Sequence, residues 1–206
     1  MSTYVYVDGF NLYYRALKGT PHRWLDLEAL CRRLLPSDNI ACIRYFTARV
    51  TARVGDLKAP VRQDAYLRAL RTLPCVTIHE GLFLTNPVFA PLVHPPPEGP
   101  KFVEVFKTEE KGSDVNLATY LLLDGFEKRY STAVVISNDS DLSEPIKVVQ
   151  SRLGKTVGVV IPDWKTRRSA LPATFYRRIR AGDLAASQFP AAIRDSHGTV
   201  SKPTTW

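Results

Sequence analysis

The 206-residue sequence contains three cysteines, Cys31, Cys42 and Cys75, an odd number with no CxxC spacing. That pattern excludes a disulfide framework and predicts reduced, mostly buried thiols of a cytoplasmic protein. Four histidines (His22, His79, His94, His197) are scattered and offer no zinc-ligand spacing. No apolar run is long enough to cross a bilayer, so no membrane role is expected. The opening MSTYVYVDGFN enters strand-like alternation at once, without a basic stretch or an apolar core of a signal peptide, which argues against secretion by that route. Neither a GxGxxG nor a Walker A pattern occurs, which removes the usual support for a nucleotide-binding α/β domain.

What is present is the composition of an ordinary globular domain, 45% hydrophobic and 23% charged, long enough to build one ample core. The net charge of +8 is the first functional pointer, since a positive field attracts phosphate backbones. A solvated basic surface explains the same number, so charge alone decides nothing. Basic residues cluster late in the chain, at Lys165, Arg167, Arg168, Arg177, Arg178 and Arg180.

Strand and helix patterns alternate. Residues 3–7, 40–50, 76–84, 132–137 and 156–161 read as strands, with a short extra strand at 102–106. Helical patterns cover a short stretch after Gly9 to about Leu17, then Asp26–Leu35, 58–73, 113–128 and 142–153. The proline-rich segment 85–100, NPVFAPLVHPPPEGP within it, predicts a long surface loop beside the functional crevice. The expected fold class is therefore α/β, a three-layer α/β/α sandwich with a mainly parallel central sheet. We read residues 1–182 as the domain and 183–206 as a partly flexible C-terminal extension.

In open α/β sheets the functional crevice lies at the carboxyl ends of strands, where strand order reverses. Asp8 ends the first strand, and Asp139 and Asp141 follow the fourth in VVISNDSDLSEP, residues 134–145. Asp114 starts the helix opened by KGSD and shares a face with Ala118, Leu121, Leu122 and Gly125, which predicts that it points inward while Asp124 faces solvent. Each acid has an ordinary explanation. Asp8-Gly9 can be a turn, Asp114 can favour a helix N-terminus, and Asp141 can cap a helix with Glu144 closing a capping box. Together the four acids form an oxygen-rich cage suited to Mg²⁺ or Mn²⁺. Asn11 can add a neutral ligand or orient water, and Ser137 and Asn138 can donate hydrogen bonds behind the acids.

Three blocks resemble the signatures of NYN domains, PIN-like nuclease relatives that include the LabA-like proteins. These are VDGFNLYY (7–14), KGSDVNLATYLL (111–122) and VVISNDSDLSEPI (134–146), and DLAASQFP (183–190) is similar to the end of LabA-like chains. The third block departs from the family's Ser-Gly-Asp-Ser-Asp-Phe by reading Ser-Asn-Asp-Ser-Asp-Leu, with both acids kept. The resemblance implies a PIN-like α/β/α sandwich and metal-dependent RNA cleavage. It implies Asp8, Asp114, Asp139 and Asp141 as metal ligands and catalytic residues, with Asn11 supporting them.

In that mechanism Lys111 and Ser137 would lie near the scissile phosphate, and Arg49, Arg53, Lys165, Arg167 and Arg168 would track the RNA backbone. Trp164 could stack a base. No histidine or tyrosine stands out as a general base. RNA is the expected partner, and a second copy of the chain is kept as a candidate. Rival readings are a catalytically silent RNA-binding protein and a haloacid-dehalogenase-like phosphatase, whose strand-then-DxD pattern ISNDSDLS imitates without explaining Asp8 or Asn11.

Overall fold

The computed structural model describes residues 2–52, 55–163 and 169–205. Strand β1 (Thr3–Asp8) leads into α1 (Gly9–Leu12), which runs on as one π-helical turn (Tyr13–Leu17). Helix α2 (Leu27–Leu34), β2 (Ile40–Ala48), α3 (Ala59–Arg71) and β3 (Val76–Pro91) follow. Then come β4 (Phe102–Lys111), α4 (Ser113–Phe126), β5 (Thr132–Ile136), α5 (Ser143–Leu153) and β6 (Thr156–Ile161). The C-terminal part adds β7 (Phe175–Arg178), α6 (Ala181–Ala186), β8 (Ala192–Asp195) and β9 (Gly198–Ser201).

The seven-stranded sheet has the order β4-β3-β2-β1-β5-β6-β7. Every pairing is parallel except β3 with β4. This is the expected three-layer α/β/α sandwich. Alternation along β1 sends Val5 and Val7 into one core and Tyr6 into the other. On the first face lie Leu12, Leu17, Leu27, Leu30, Leu67 and Leu70 from the α1–α3 region. On the second lie Leu117, Leu121, Ile146 and Val149 from α4 and α5. Burial on both faces explains why TAVVI and TVGVVI read as unbroken apolar runs.

Three expectations are corrected. First, residues 85–91 are not loop: they belong to β3, whose residues 82–91 pair antiparallel with all of β4. The connection shrinks to residues 92–101, and β4 is longer than the expected 102–106. Pro87 and Pro91 are tolerated because a spacing of four turns both nitrogens toward the same edge of the ribbon, sparing the edge that pairs. Second, the inward face of α4 carries Ser113, Leu117, Leu121, Asp124 and Gly125. Asp124 is 1% exposed rather than solvated, while Asp114 is half-buried at one side of that stripe. Third, the segment after Asp183 is attached to the body. Trp24 Nε1 donates to the Pro190 carbonyl at 2.7 Å, Phe189 is buried, and Arg68 forms a bidentate pair with Asp195 at 2.8 to 3.0 Å.

No helix among the described residues is long and apolar enough to cross a membrane. All three thiols are free; Cys31 is buried, whereas Cys42 and Cys75 are half-buried.

Candidate functional site

Strand order reverses between β1 and β5: the chain builds outward through β2 and β3 on one side and through β6 and β7 on the other. Val7 pairs with Ile136, so Asp8 and Ser137 leave the two strands side by side at their carboxyl ends. This is the switch-point crevice of an open α/β sheet.

Asp8 is 4% exposed and anchored at both oxygens. The Asn11 N–H donates to Oδ1 at 2.9 Å, making Asp8 the N-cap of α1, and the fully buried Ser137 hydroxyl donates to Oδ2 at 2.9 Å. Burial raises the Asp8 pKa above the ordinary carboxylate range, while those donors pull it back. Gly9 permits the tight exit from the strand. A Cβ there would lie 2.6 Å from the Phe46 carbonyl oxygen and 2.7 Å from the Tyr45 ring.

Asn11 reaches across the crevice, its Oδ1 accepting from the Asn138 N–H at 3.2 Å. Asn138 in turn accepts from the Ser169 hydroxyl at 2.8 Å. The Asp139 N–H donates to Ser137 Oγ at 3.1 Å, and Asp139 Oδ1 accepts from the Asp141 N–H at 3.0 Å. Asp139 therefore caps the single 3₁₀ turn (Ser140–Leu142) before α5, and the Asp141–Glu144 capping box, the ordinary explanation for Asp141, is not formed.

Asp114 enters from the first turn of α4. Its pKa is pushed up to about 6, first by burial and then by the negative charges of Asp8, Asp139, Glu110 and Asp141. The four acids singled out in the sequence thus face one another electrostatically. They do not form the expected closed cage. Among the described residues no group of three or more histidine, cysteine, aspartate or glutamate side chains is close enough to hold an ion. Both Asp8 oxygens turn toward Asn11 and Ser137, one Asp139 oxygen turns to backbone, and Asp141 is exposed. Mutual repulsion favours this splayed arrangement. The chemistry of the donor set still suits a hard cation: among the described residues the crevice offers carboxylate, amide and hydroxyl oxygens, with no thiolate or imidazole among them.

Glu110 is an acid that sequence reasoning missed. It accepts from the Ser113 N–H at 3.0 Å and the Ser113 hydroxyl at 2.7 Å, tying off the start of α4. The only hint in the sequence was its position three residues before Ser113.

The basic residues are less gathered. Lys111 is exposed and pairs with Glu109 at 2.9 Å. Arg49 is exposed and engaged by Glu80 at 2.7 Å and Asp64 at 3.0 Å. Arg53, Trp164, Lys165, Arg167 and Arg168 lie outside the described residues. The fold also groups Arg33, Arg177, Arg178 and Arg180 around one groove with Ser169, whose hydroxyl meets Asn138 of the crevice. Arg177, Arg178 and Arg180 were visible in the sequence only as a charge run.

A parallel sheet with acids converging at its switch point defines an α/β protein of the PIN-like type. The NYN domain family model matches residues 2–177, and the chain belongs to that family, part of the PIN-like nuclease superfamily. Among curated proteins it is similar to the 6-hydroxy-3-succinoylpyridine 3-monooxygenase HspA of Pseudomonas putida, 34% identical over 238 residues. That similarity covers all of this chain and 75% of the relative. Among solved structures it is similar to a protein of unknown function from Vibrio parahaemolyticus, at 14% identity and a TM-score of 0.48, covering 87% of this chain and 93% of the other.

Proposed function

We propose that the protein is a Mg²⁺- or Mn²⁺-dependent ribonuclease, cleaving phosphodiesters within RNA, with Asp8, Asp114, Asp139 and Asp141 holding the ion. The observation that carries this reading is an NYN-family sheet whose switch point brings Asp8 beside the end of β5, with Asp114, Asp139 and Asp141 near enough that burial and then their charges, with Glu110's, raise the Asp114 carboxyl to about 6. Concentrated negative charge of this kind calls for a cation. A bound Mg²⁺ or Mn²⁺ supplies Lewis-acid polarisation of a phosphodiester and a more acidic water.

The chain's own residues prepare the site. Ser137 and the Asn11 backbone fix the orientation of Asp8. The Asn11 amide ties α1 to the turn that follows β5, bracing the two chain segments that carry Asp8 and Asp139. The groove of Arg33, Arg177, Arg178 and Arg180, where Asp183 already pairs with Arg33 at 2.9 Å, offers phosphate contacts beside the crevice.

The test is incubation of a mixed RNA pool with Mn²⁺ or Mg²⁺, comparing wild type with Asp139→Asn. Metal-dependent cleavage by wild type alone is the expected result. Undiminished cleavage by the variant overturns it, and metal and RNA binding without cleavage would instead establish a silent RNA-binding protein.

A second reading rests on the relative named a monooxygenase of 6-hydroxy-3-succinoylpyridine, 34% identical along the whole of this chain. On that reading the protein hydroxylates a substituted pyridine. Oxygen consumption with that pyridine and a two-electron donor such as reduced nicotinamide separates the two.

A further inference from the structure

Against Gly9 and Phe10, the residues that follow Asp8, lies a second cavity of about 290 Å³. Its walls carry six aromatic side chains, Phe10, Tyr13, Tyr14, Tyr45, Tyr66 and Phe83. They are arranged as an aromatic box rather than a loose crease. Tyr45 and Tyr66 are buried and meet edge to face at 6.3 Å. Phe10 and Phe83 do the same at 5.6 Å, and Tyr13 and Tyr14 at 5.2 Å. Tyr66 is held in place by donating to the Leu25 carbonyl at 3.0 Å, and Tyr45 packs where Gly9 leaves room. Tyr45 and Tyr66 therefore present fixed surfaces, whereas Tyr14 is 58% exposed.

The polar lining has one sign in excess. Among the described residues, Lys18, Arg23 and Arg62 line the cavity against a single carboxylate, Asp56, which pairs with Arg62. Lys18 Nζ sits 5.0 Å from the centroid of the Tyr14 ring. Gln63, the lining amide, is engaged at both ends, donating to the Ala48 carbonyl at 2.8 Å and accepting from the Val50 N–H at 2.8 Å. It belongs to the scaffold.

We propose that this cavity binds a planar aromatic ring carrying an anionic group, the ring between the tyrosine and phenylalanine faces and the anion toward Lys18 and Arg23. Aromatic walls reward stacking and edge contacts with a flat ring. The cationic side rewards a carboxylate or phosphate, which the neighbouring acidic crevice repels. The volume stands near the lower limit of small-ligand pockets and suits one ring with small substituents, not a dinucleotide. Gly9 and Phe10 line the cavity and immediately follow Asp8, so a ligand seated here ends next to the acids. The inference goes beyond the ribonuclease reading and stands without it. A nucleobase with its phosphate and a free aromatic acid share the required chemistry.

Calorimetric titration of the full chain tests it with four probes. Pyridine-3-carboxylate and uridine 5′-monophosphate are the two aromatic anions. Pyridin-3-ylmethanol keeps the ring without the charge, and cyclohexanecarboxylate keeps the charge without the aromatic ring. Saturable binding of at least one aromatic anion, at least tenfold tighter than both controls, is the expected result. Preference for the pyridine acid identifies a free small molecule, and preference for the nucleotide identifies a base subsite. Lys18→Gln, on an exposed side chain, and the Lys18→Gln/Arg23→Gln pair should each weaken binding severalfold with unchanged melting temperature. Should the pair alter folding, Lys18→Gln alone decides. No saturable binding of either anion, or binding less than tenfold tighter than either control, overturns the proposal. RNA cleavage is scored separately, so loss of that activity reading leaves this one standing, and the reverse.

Discussion

At the scale of single residues, Asp8 does two jobs that make separate predictions. It is a negative charge in the crevice, and it is the acceptor for two donors, one of them the fully buried Ser137 hydroxyl. Asp8→Ala removes both acceptors and leaves donors without partners, so unfolding free energy should fall by about 1–3 kcal/mol in a urea titration. Asp139 differs, being half-buried and holding only the Asp141 N–H through Oδ1, a bond that asparagine can keep. Asp139→Asn should therefore abolish metal-dependent RNA cleavage while moving stability by less than about 1 kcal/mol. A variant that unfolds would show that the residue is structural instead. Gly9→Ala tests the close approach: the new methyl meets the Phe46 carbonyl and the Tyr45 ring at 2.6 and 2.7 Å, and about 1–3 kcal/mol of stability should be lost.

At the scale of elements, α4 is docked by a buried ion pair as well as by Leu117 and Leu121. Arg44 on β2 donates to Asp124 through Nε at 2.6 Å and Nη2 at 2.8 Å, and the Tyr6 hydroxyl donates to Asp124 at 2.8 Å. The Tyr120 ring covers the Arg44 guanidinium at 4.7 Å from its centroid. Removing one charge leaves the other uncompensated in the interior, so Asp124→Leu should cost about 3–5 kcal/mol. Replacing both, as Arg44→Met/Asp124→Leu, should recover most of that loss in the same denaturation experiment. Equal damage from the single and double changes would contradict this account. Between β3 and α4 a different constraint acts: a Cβ at Gly81 would lie 2.6 Å from Glu110 Oε1, so this glycine lets the strand pass under the carboxylate that ties off α4. The outer part of the β3–β4 ribbon, by contrast, pairs only with itself and exposes Leu84, Phe89, Phe102 and Phe106.

At the scale of the whole molecule, charge is distributed unevenly. A chain of net charge +8 keeps an acidic crevice at its switch point and sets a groove of Arg33, Arg177, Arg178 and Arg180 beyond it. The interior also confers a pH dependence. His79 is stacked on Phe46 at 4.9 Å, and its Nε2 lies 3.1 Å from Arg44 Nη1. Burial, then the Arg44 charge, lowers its pKa below the ordinary 6.5. In the unfolded chain the imidazole takes its proton near 6.5, and in the folded protein only at lower pH. The unfolded state thus binds more protons in that window, and stability falls as pH drops through 6.5. Asp114, raised to about 6, acts in the opposite sense over the same window, so the His79 slope is read as the difference between wild-type and His79→Gln unfolding curves from pH 5 to 7.5. A slope unchanged in the variant would assign it to other groups.

Local chemistry made much of this legible in advance. The runs TAVVI and TVGVVI call for burial on both faces, and their alternation with helices selects a parallel sheet covered on both sides. Asp26 announces α2 by capping it, its side chain accepting from the Ala29 N–H at 2.9 Å. Acids at the ends of β1 and β5 follow from position in the pattern, and the fold brings them near each other. Other features depend on partners far along the chain. Asp124 looks solvated in a helical pattern, and its burial becomes tolerable through distant partners, Arg44 eighty residues away and the Tyr6 hydroxyl. Prolines read as loop because the sequence cannot say which edge of a strand stays unpaired. The aromatic box gathers residues from 10 to 83, each of which alone looks like ordinary core. Periodicity and capping act within a few residues and are written in the sequence. Charge compensation, edge pairing and cavities are properties of surfaces that meet only after folding, and the tertiary structure decides them.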